Sequence, residues 1–148
     1  MKKSPLWKQC EKVVFDHFNN DFGKQSVAYR FTDSADINRQ SYKKGVRFVV
    51  TEITNPSDFI VTCNGVTFFA EVKCTSGEKG VKPTLLKQQG GSRRRIIAAG
   101  GEFLYFIYSA HRKEWYKVHA SDFIDNDKTV TWDELENCKY TKLKGKLK

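Results

Sequence analysis

Two acidic residues and a lysine stand on either side of an Asn-Gly pair in this sequence. Asp58 precedes the run FIVTC, Asn64 and Gly65 follow that run, and Glu71 and Lys73 close the next run, VTFFAEVK. Asn-Gly between two apolar runs is the strongest short-range signal for a β-hairpin with a two-residue turn. Such a turn places Asp58 opposite Glu71, and Lys73 shares the face of Glu71 because side chains alternate along a strand. We therefore expect the three charged side chains to converge at one end of the hairpin.

Two carboxylates held side by side on a sheet favour a cation between them. Directly opposed residues have Cβ atoms ~4.5 to 5.5 Å apart, and like charges at that distance destabilise the sheet. Hard carboxylate oxygens suit Mg²⁺ or Mn²⁺, and such an ion can polarise a phosphoryl oxygen and activate a water molecule. The nearby lysine can orient the water or stabilise developing negative charge. The spacing indicates metal-dependent phosphodiester hydrolysis, and the alternative interpretation is a surface salt bridge of Lys73 with Asp58 or Glu71 at a frayed strand end.

A helix is predicted near the amino terminus, with Ser4 as the N-cap and Pro5 as the first helical residue. Apolar residues at helical spacing from Trp7 to Phe18 form a stripe, and Glu11 lies on it or beside it. The Glu11 carboxylate then either extends out at the edge of the stripe or points into a polar site that the helix covers.

The other elements predict an α/β layered domain. Both faces of the hairpin are apolar, so the sheet is expected to be covered on two sides. Gly90 and Gly91 weaken the middle of the second predicted helix. Further strands are predicted over residues 26–32, 47–54, 102–109 and 115–119, and further helices over 82–98 and near 132–135.

Length and charge limit the class of protein. The 148 residues fit one domain. Lys plus Arg number 26 and Asp plus Glu 17, so the formal charge is +9, which favours a polyanionic partner such as DNA or RNA. No apolar run reaches the ~18 residues of a membrane span, and no secretory leader is evident, so we expect a soluble cytoplasmic protein without a membrane partner. The four cysteines have no zinc-ligand spacing and are expected to be reduced.

Two segments carry much of the positive charge and contain no acidic residue. Residues 82–95 include three consecutive arginines beside Gly-Gly-Ser, which suits contacts to phosphates. Residues 139–148 include five lysines and are expected to form a mobile basic tail after a domain of residues 1–138. For either segment alone, a solvated charged face is the alternative interpretation. The candidate DNA-binding residues are Lys82, Lys87, Arg93, Arg94, Arg95, Lys142 and Lys144.

The hairpin residues resemble a known nuclease signature. Pro56-Ser57-Asp58, followed after the turn by Glu71-Val72-Lys73, resembles the PD-(D/E)xK pattern of restriction-endonuclease-like nucleases. The stretches AYRFTDS, PSDFIVTCNGVTFFAEVKCTS, LLKQQ and EFLYFIY together resemble RecU-type Holliday-junction resolvases and their phage relatives. The similarity covers residues 11–118. It implies a restriction-endonuclease-like core, in which a central mixed β-sheet carries helices on both faces.

The resemblance also implies roles for individual residues. Asp58 and Glu71 would bind Mg²⁺ or Mn²⁺, and Lys73 would assist the attacking water. Glu11 matches an acidic residue of the first helix and would be an outer contact of the metal ion.

A glutamine, an activity and a partner complete the expectations from the resemblance. Gln88 matches the family's glutamine best, and Gln89 is the alternative. The implied activity is metal-dependent endonuclease cleavage of Holliday junctions or other branched DNA in recombination and repair, by a homodimer of a bacterial or phage-encoded protein. The segment 34–47 is the only candidate for the projecting stalk of RecU-type enzymes. The alternative function is a non-catalytic DNA-binding or assembly protein on a nuclease-like fold.

Overall fold

The computed structural model describes a mixed α/β domain in which helices pack on a central sheet. The predicted strand 47–54, both Gln88 and Gln89, and all of the 34–47 segment except residues 43–45 lie outside the described residues. The α/β class and the mixed sheet were predicted correctly. The described residues are 2–31, 43–45, 55–87, 90–123 and 127–147.

Five strands form the central sheet in the order β1-β2-β3-β5-β6, and β4 pairs with β7 in a small second sheet. Strands β3 and β5 are parallel, whereas the other neighbouring strands are antiparallel. A parallel pair requires a crossover connection, which here contains two short helices. The strands are β1 (Ser26–Arg30), β2 (Phe59–Cys63), β3 (Val66–Thr75), β4 (Gly80–Val81), β5 (Phe103–Ser109), β6 (Glu114–His119) and β7 (Val130–Thr131).

Strands β2 and β3 form the predicted hairpin. Asn64 and Gly65 have φ values of +50° and +83°, as both central residues of a type I′ turn require. Asparagine and glycine are the residues that adopt this left-handed conformation most readily. Cys63 pairs with Val66, so the predicted two-residue turn and its register are confirmed.

The first helix, α1 (Leu6–Asn20), begins one residue later than predicted. Pro5 is the N-cap rather than the first helical residue, because its ψ of 151° is extended and its carbonyl accepts the first helical hydrogen bond, from Gln9 N at 3.2 Å. No side chain caps this helix end, so Ser4 is not the N-cap. Cys10, Val14 and Phe18 are buried, as the predicted apolar stripe requires, whereas Trp7 at the start of the stripe is 51% exposed.

Two other predicted helices take different forms. The 82–98 helix is replaced by α2 (Pro83–Leu86) and α3 (Gly90–Ala98), in keeping with the low helix propensity of its two central glycines. Near residues 132–135 the chain forms hydrogen-bonded turns and then a 3₁₀ helix at Glu136–Cys138. The Thr131 Oγ1 accepts from the Glu134 N–H at 3.2 Å and the Glu134 carboxylate accepts from the Thr131 N–H at 2.9 Å, and these bonds hold turns in place of the predicted helix.

Apolar clusters cover both faces of the central sheet, as predicted. Helix α1 packs on one face, and α2, α3 and the turns after β7 pack on the other. The buried residues of the first cluster include Val14, Phe18, Phe59, Val61, Phe68 and Phe106. Those of the second include Leu86, Phe103, Tyr105, Ile107, Trp132 and Leu135.

The carboxyl-terminal segment 139–147 packs against the domain, so the expectation of a mobile tail was wrong. Leu143 is 0% exposed and belongs to the cluster beneath α1. The Tyr140 hydroxyl hydrogen-bonds His17 Nε2 at 2.8 Å, and Lys146 pairs with Asp21 at the end of α1. Apolar residues placed between the lysines bury themselves while the charged ends stay in solvent.

Candidate active site

Backbone hydrogen bonds hold the carboxylates of Asp58 and Glu71 next to each other at the end of the hairpin. The backbone N–H of Asp58 donates to Glu71 Oε2 at 3.1 Å, and the backbone N–H of Val72 donates to Asp58 Oδ2 at 2.8 Å. The main chain of one strand therefore fixes the carboxylate of the other. The structure brings the two acidic groups together, as the hairpin register predicted.

The Lys73 side chain is buried and lies next to the acidic pair. Its Nζ lies 3.1 Å from Glu71 Oε1, and the two side chains are only 10% and 4% exposed. A surface salt bridge at a frayed strand end, the alternative interpretation of these residues, does not describe a pair this buried. Burial strengthens the interaction, because water screens the two charges poorly there.

Helix α1 directs Glu11 toward the same site. Its side chain is 15% exposed and accepts a hydrogen bond from Arg30 Nη1 at 2.9 Å. Burial, followed by the nearby negative charge of Asp58, raises the pKa of Glu11, while Arg30 opposes the rise. Of the two alternatives for Glu11, the structure therefore selects the polar site over the open edge of the apolar stripe.

Arg30 is a residue of this site that the sequence analysis missed. It ends β1, pairs with Phe59 of β2, and its guanidinium lies 5.1 Å from the centre of that ring. Half of its side chain is exposed. Strand alternation places it on the face of Ala28, which α1 covers. Strand alternation could have predicted the position of Arg30 only if the pairing of β1 with β2 had been known.

Burial perturbs the acidic groups of the site. Burial and the neighbouring charge of Glu71 raise the pKa of Asp58 to about 6, against the opposing backbone N–H of Val72 and the charge of Lys73. Burial also raises the pKa of Glu71, although Lys73 opposes it strongly. Placing a negative charge on both carboxylates is therefore unfavourable without a further cation.

The carboxylate oxygens of this site suit a cation that is also bound by a substrate. Three carboxylates, of Glu11, Asp58 and Glu71, face two cationic side chains, of Arg30 and Lys73. Among the described residues, no three His, Cys, Asp or Glu side chains are grouped closely enough to enclose a metal ion by themselves. Mg²⁺ is commonly held by one or two carboxylates and completes its shell with waters and substrate phosphates. Asp58 and Glu71 suit that mode of binding.

The predicted DNA-binding residues do not all lie at the surface. Arg93 is 4% exposed and donates through Nη1 to the Leu86 carbonyl at 2.9 Å and to the Tyr105 hydroxyl at 2.8 Å. Arg93 therefore does not belong to an exposed basic surface with Arg94 and Arg95. Successive residues of a helix point about 100° apart, so three consecutive arginines cannot share one face. The exposed candidates are Lys82, Lys87, Arg94, Arg95, Lys142 and Lys144.

Comparison with known proteins places the chain in no family. No protein-family model matches it, and no curated protein matches it. In the part of the chain that the structure describes, no helix combines the length and apolarity needed to cross a bilayer. The resemblance to RecU-type resolvases therefore remains a prediction from the residues quoted above.

Proposed function

We propose that this protein is a Mg²⁺-dependent DNA endonuclease with a restriction-endonuclease-like core, and that it cleaves Holliday junctions or other branched DNA as RecU-type resolvases do. The observation that carries the proposal is the Asp58–Glu71 pair, in which the Val72 N–H bonds Asp58 and the Asp58 N–H bonds Glu71, with Lys73 Nζ at 3.1 Å from Glu71. The formal charge of +9 supports a nucleic acid as the substrate.

The side chains have distinct roles in this proposal. Asp58 and Glu71 would hold Mg²⁺, which would supply Lewis-acid chemistry and lower the pKa of water. The backbone hydrogen bonds of the two carboxylates hold them in place, which reduces the reorganisation needed on binding. The Lys73 ammonium group orients the attacking water and stabilises negative charge on the phosphate.

Glu11 and Arg30 act at the edge of the same site. Glu11 contributes an outer negative charge toward the cation, because its carboxylate lies close enough to Asp58 to raise its own pKa. Arg30 holds Glu11 in place and leaves half of its side chain exposed, where it can contact a phosphate of the DNA.

Removing either carboxylate tests the proposal directly. We expect Asp58→Asn and Glu71→Gln to reduce cleavage of a labelled four-way junction by at least about 100-fold, because metal ions supply several kcal/mol of charge stabilisation. DNA binding should persist, since a negative charge near the phosphate is removed. The matched control is Asp133→Asn, which changes a carboxylate that is 92% exposed and should leave the rate unchanged. Cleavage at the parental rate by Asp58→Asn would contradict the proposal.

Substrate and metal dependence separate the related alternatives. The junction and a linear duplex are each incubated with Mg²⁺ or with a chelator. Cleavage of the junction alone supports a resolvase, and cleavage of both supports a broader nuclease. Metal-independent binding without cleavage supports a non-catalytic DNA-binding protein, a function favoured by the ion pairs that already hold Glu11 and Glu71. The proposed homodimer is tested by sedimentation equilibrium.

A further inference from the structure

Arg93 is a buried cation whose hydrogen bonds to the described residues all go to neutral groups. Its Nη1 donates to the Leu86 carbonyl and the Tyr105 hydroxyl, and its Nε has no hydrogen-bond partner. Among the described residues, no carboxylate forms an ion pair with it. A buried charge without a counter-charge is strongly unfavourable, and an unsatisfied buried N–H adds to the cost. A bound water or anion can satisfy such a group.

A cavity of about 200 Å³ lies beside Arg93, lined by residues of α2, α3 and β7. Its described lining includes four basic side chains, those of Lys87, Arg93, Arg94 and Lys128, and one acidic side chain, that of Asp127. The described part of the lining is therefore mainly basic. It exceeds the ~30 Å³ of a water molecule and is smaller than the ~300 to 1,000 Å³ of pockets for drug-sized ligands, so it suits a small anionic group.

The cavity is connected to the candidate active site through Tyr105. In the parallel pairing of β3 with β5, Tyr105 lies directly beside Glu71, and paired residues project from the same face of a sheet. The charge of Glu71 is one of the causes that raise the pKa of the Tyr105 hydroxyl, after burial. That hydroxyl also accepts the Arg93 hydrogen bond. An anion at Arg93 would therefore lie on the Glu71 side of the sheet.

We propose that this cavity is a phosphate subsite that holds one phosphate group of the DNA while another phosphodiester lies at Asp58 and Glu71. The inference rests on the proposed endonuclease function. A guanidinium presents a rigid fork of donors that matches the oxygens of a phosphate. Lys87, which is exposed at the cavity, adds a second positive charge.

The Arg93 Nε–H signal gives a direct readout of binding. The full chain, isotopically labelled and kept in chelator so that no cleavage occurs, is titrated with inorganic phosphate and followed by NMR. The signal is assigned by its loss in Arg93→Lys. We expect a saturable shift with phosphate and none with sodium chloride at equal ionic strength. The absence of a saturable shift, or an equal shift with chloride, would overturn the subsite.

Variants of exposed lysines test the cavity without a change to the buried Arg93 side chain. Lys87→Ala should weaken the phosphate Kd by about twofold to fivefold, as expected for one exposed charge. Lys24→Ala, an exposed lysine that does not line the cavity, should leave the Kd unchanged. Equal Kd values for both variants would contradict the assignment of the cavity.

Short oligonucleotides identify the source of the phosphate. A hexanucleotide with a 5′-phosphate and the same hexanucleotide with a 5′-hydroxyl are each competed against inorganic phosphate. Competition by the phosphorylated form alone identifies a terminal phosphate, and equal competition by both identifies an internal phosphodiester. If neither competes, the cavity binds a free anion and the DNA subsite is wrong. Because binding is measured in chelator, this result is separate from that of the cleavage assay.

Discussion

The buried carboxylate of Asp58 belongs to the candidate site, and its negative charge lowers the stability of the fold. Its pKa is raised to about 6 by burial and by the charge of Glu71, whereas an aspartate in an unfolded chain titrates near 3.9. The folded chain therefore retains a proton that the unfolded chain releases. The stabilisation that results is fully present below about pH 4 and is lost as the pH rises through about 6.

This linkage predicts a pH-dependent effect of Asp58→Asn on stability. Without divalent metal at pH 8, the variant should raise the free energy of unfolding by about 1–3 kcal/mol, because it removes a poorly solvated charge and keeps an oxygen for the Val72 N–H. At pH 3.5 the two proteins should be nearly equal. Urea unfolding at both pH values measures the difference, with Asp133→Asn as the control. Destabilisation of similar size at both pH values would contradict the raised pKa.

At the level of elements, the turn between β2 and β3 determines whether the acidic pair exists. A slip of one residue in register would move Glu71 to the opposite face of the sheet from Asp58. The left-handed conformation of Asn64 and Gly65 fixes a two-residue turn and prevents that slip. The turn thus controls site geometry although neither of its residues belongs to the site.

Gly65→Ala is expected to destabilise the protein by about 1–2 kcal/mol, because φ at this position is +83° and an L side chain is strained there. Urea unfolding provides the measurement. The matched control is Gly91→Ala, at an exposed helical glycine whose added Cβ meets nothing within 4 Å. That substitution should stabilise the protein by about 0.5–1 kcal/mol. A neutral effect of Gly65→Ala would show that the turn tolerates another conformation.

For the whole molecule, the packing of the carboxyl-terminal segment predicts that this segment contributes to the free energy of unfolding. Leu143→Ala should lower the free energy of unfolding by about 2–5 kcal/mol, since it empties a fully buried site beneath α1. Lys144→Ala, at the next and exposed residue, should change it by less than about 0.5 kcal/mol. Denaturant unfolding compares the two variants. Equal effects would mean that the segment does not belong to the folded domain in solution.

The charge of the whole molecule predicts salt-sensitive binding to DNA. The logarithm of the binding constant, measured by fluorescence anisotropy in chelator, should fall linearly with the logarithm of the salt concentration. If all six exposed candidate residues contact phosphates, the slope is about −5, from about −0.9 for each contact. A slope near zero would contradict the inference that these basic residues contact DNA phosphates.

The success of sequence-based prediction varied among the parts of the molecule. The Asn64-Gly65 hairpin and the convergence of Asp58, Glu71 and Lys73 were predictable, because turn chemistry and strand alternation are local rules. The burial of Arg93 was not, since three consecutive arginines read as a charged surface until the helix packs on the sheet.

The sequence by itself determined the hairpin, its register and the meeting of two acidic groups with a lysine, because each depends on residues within one short stretch of chain. Only the tertiary structure decided that Arg30 pairs with Glu11, that Leu143 lies in the core, and that Arg93 faces a cavity. The physical reason is that these contacts join residues from different elements. Their free energies depend on burial and distance in space, which no local pattern of residue types encodes.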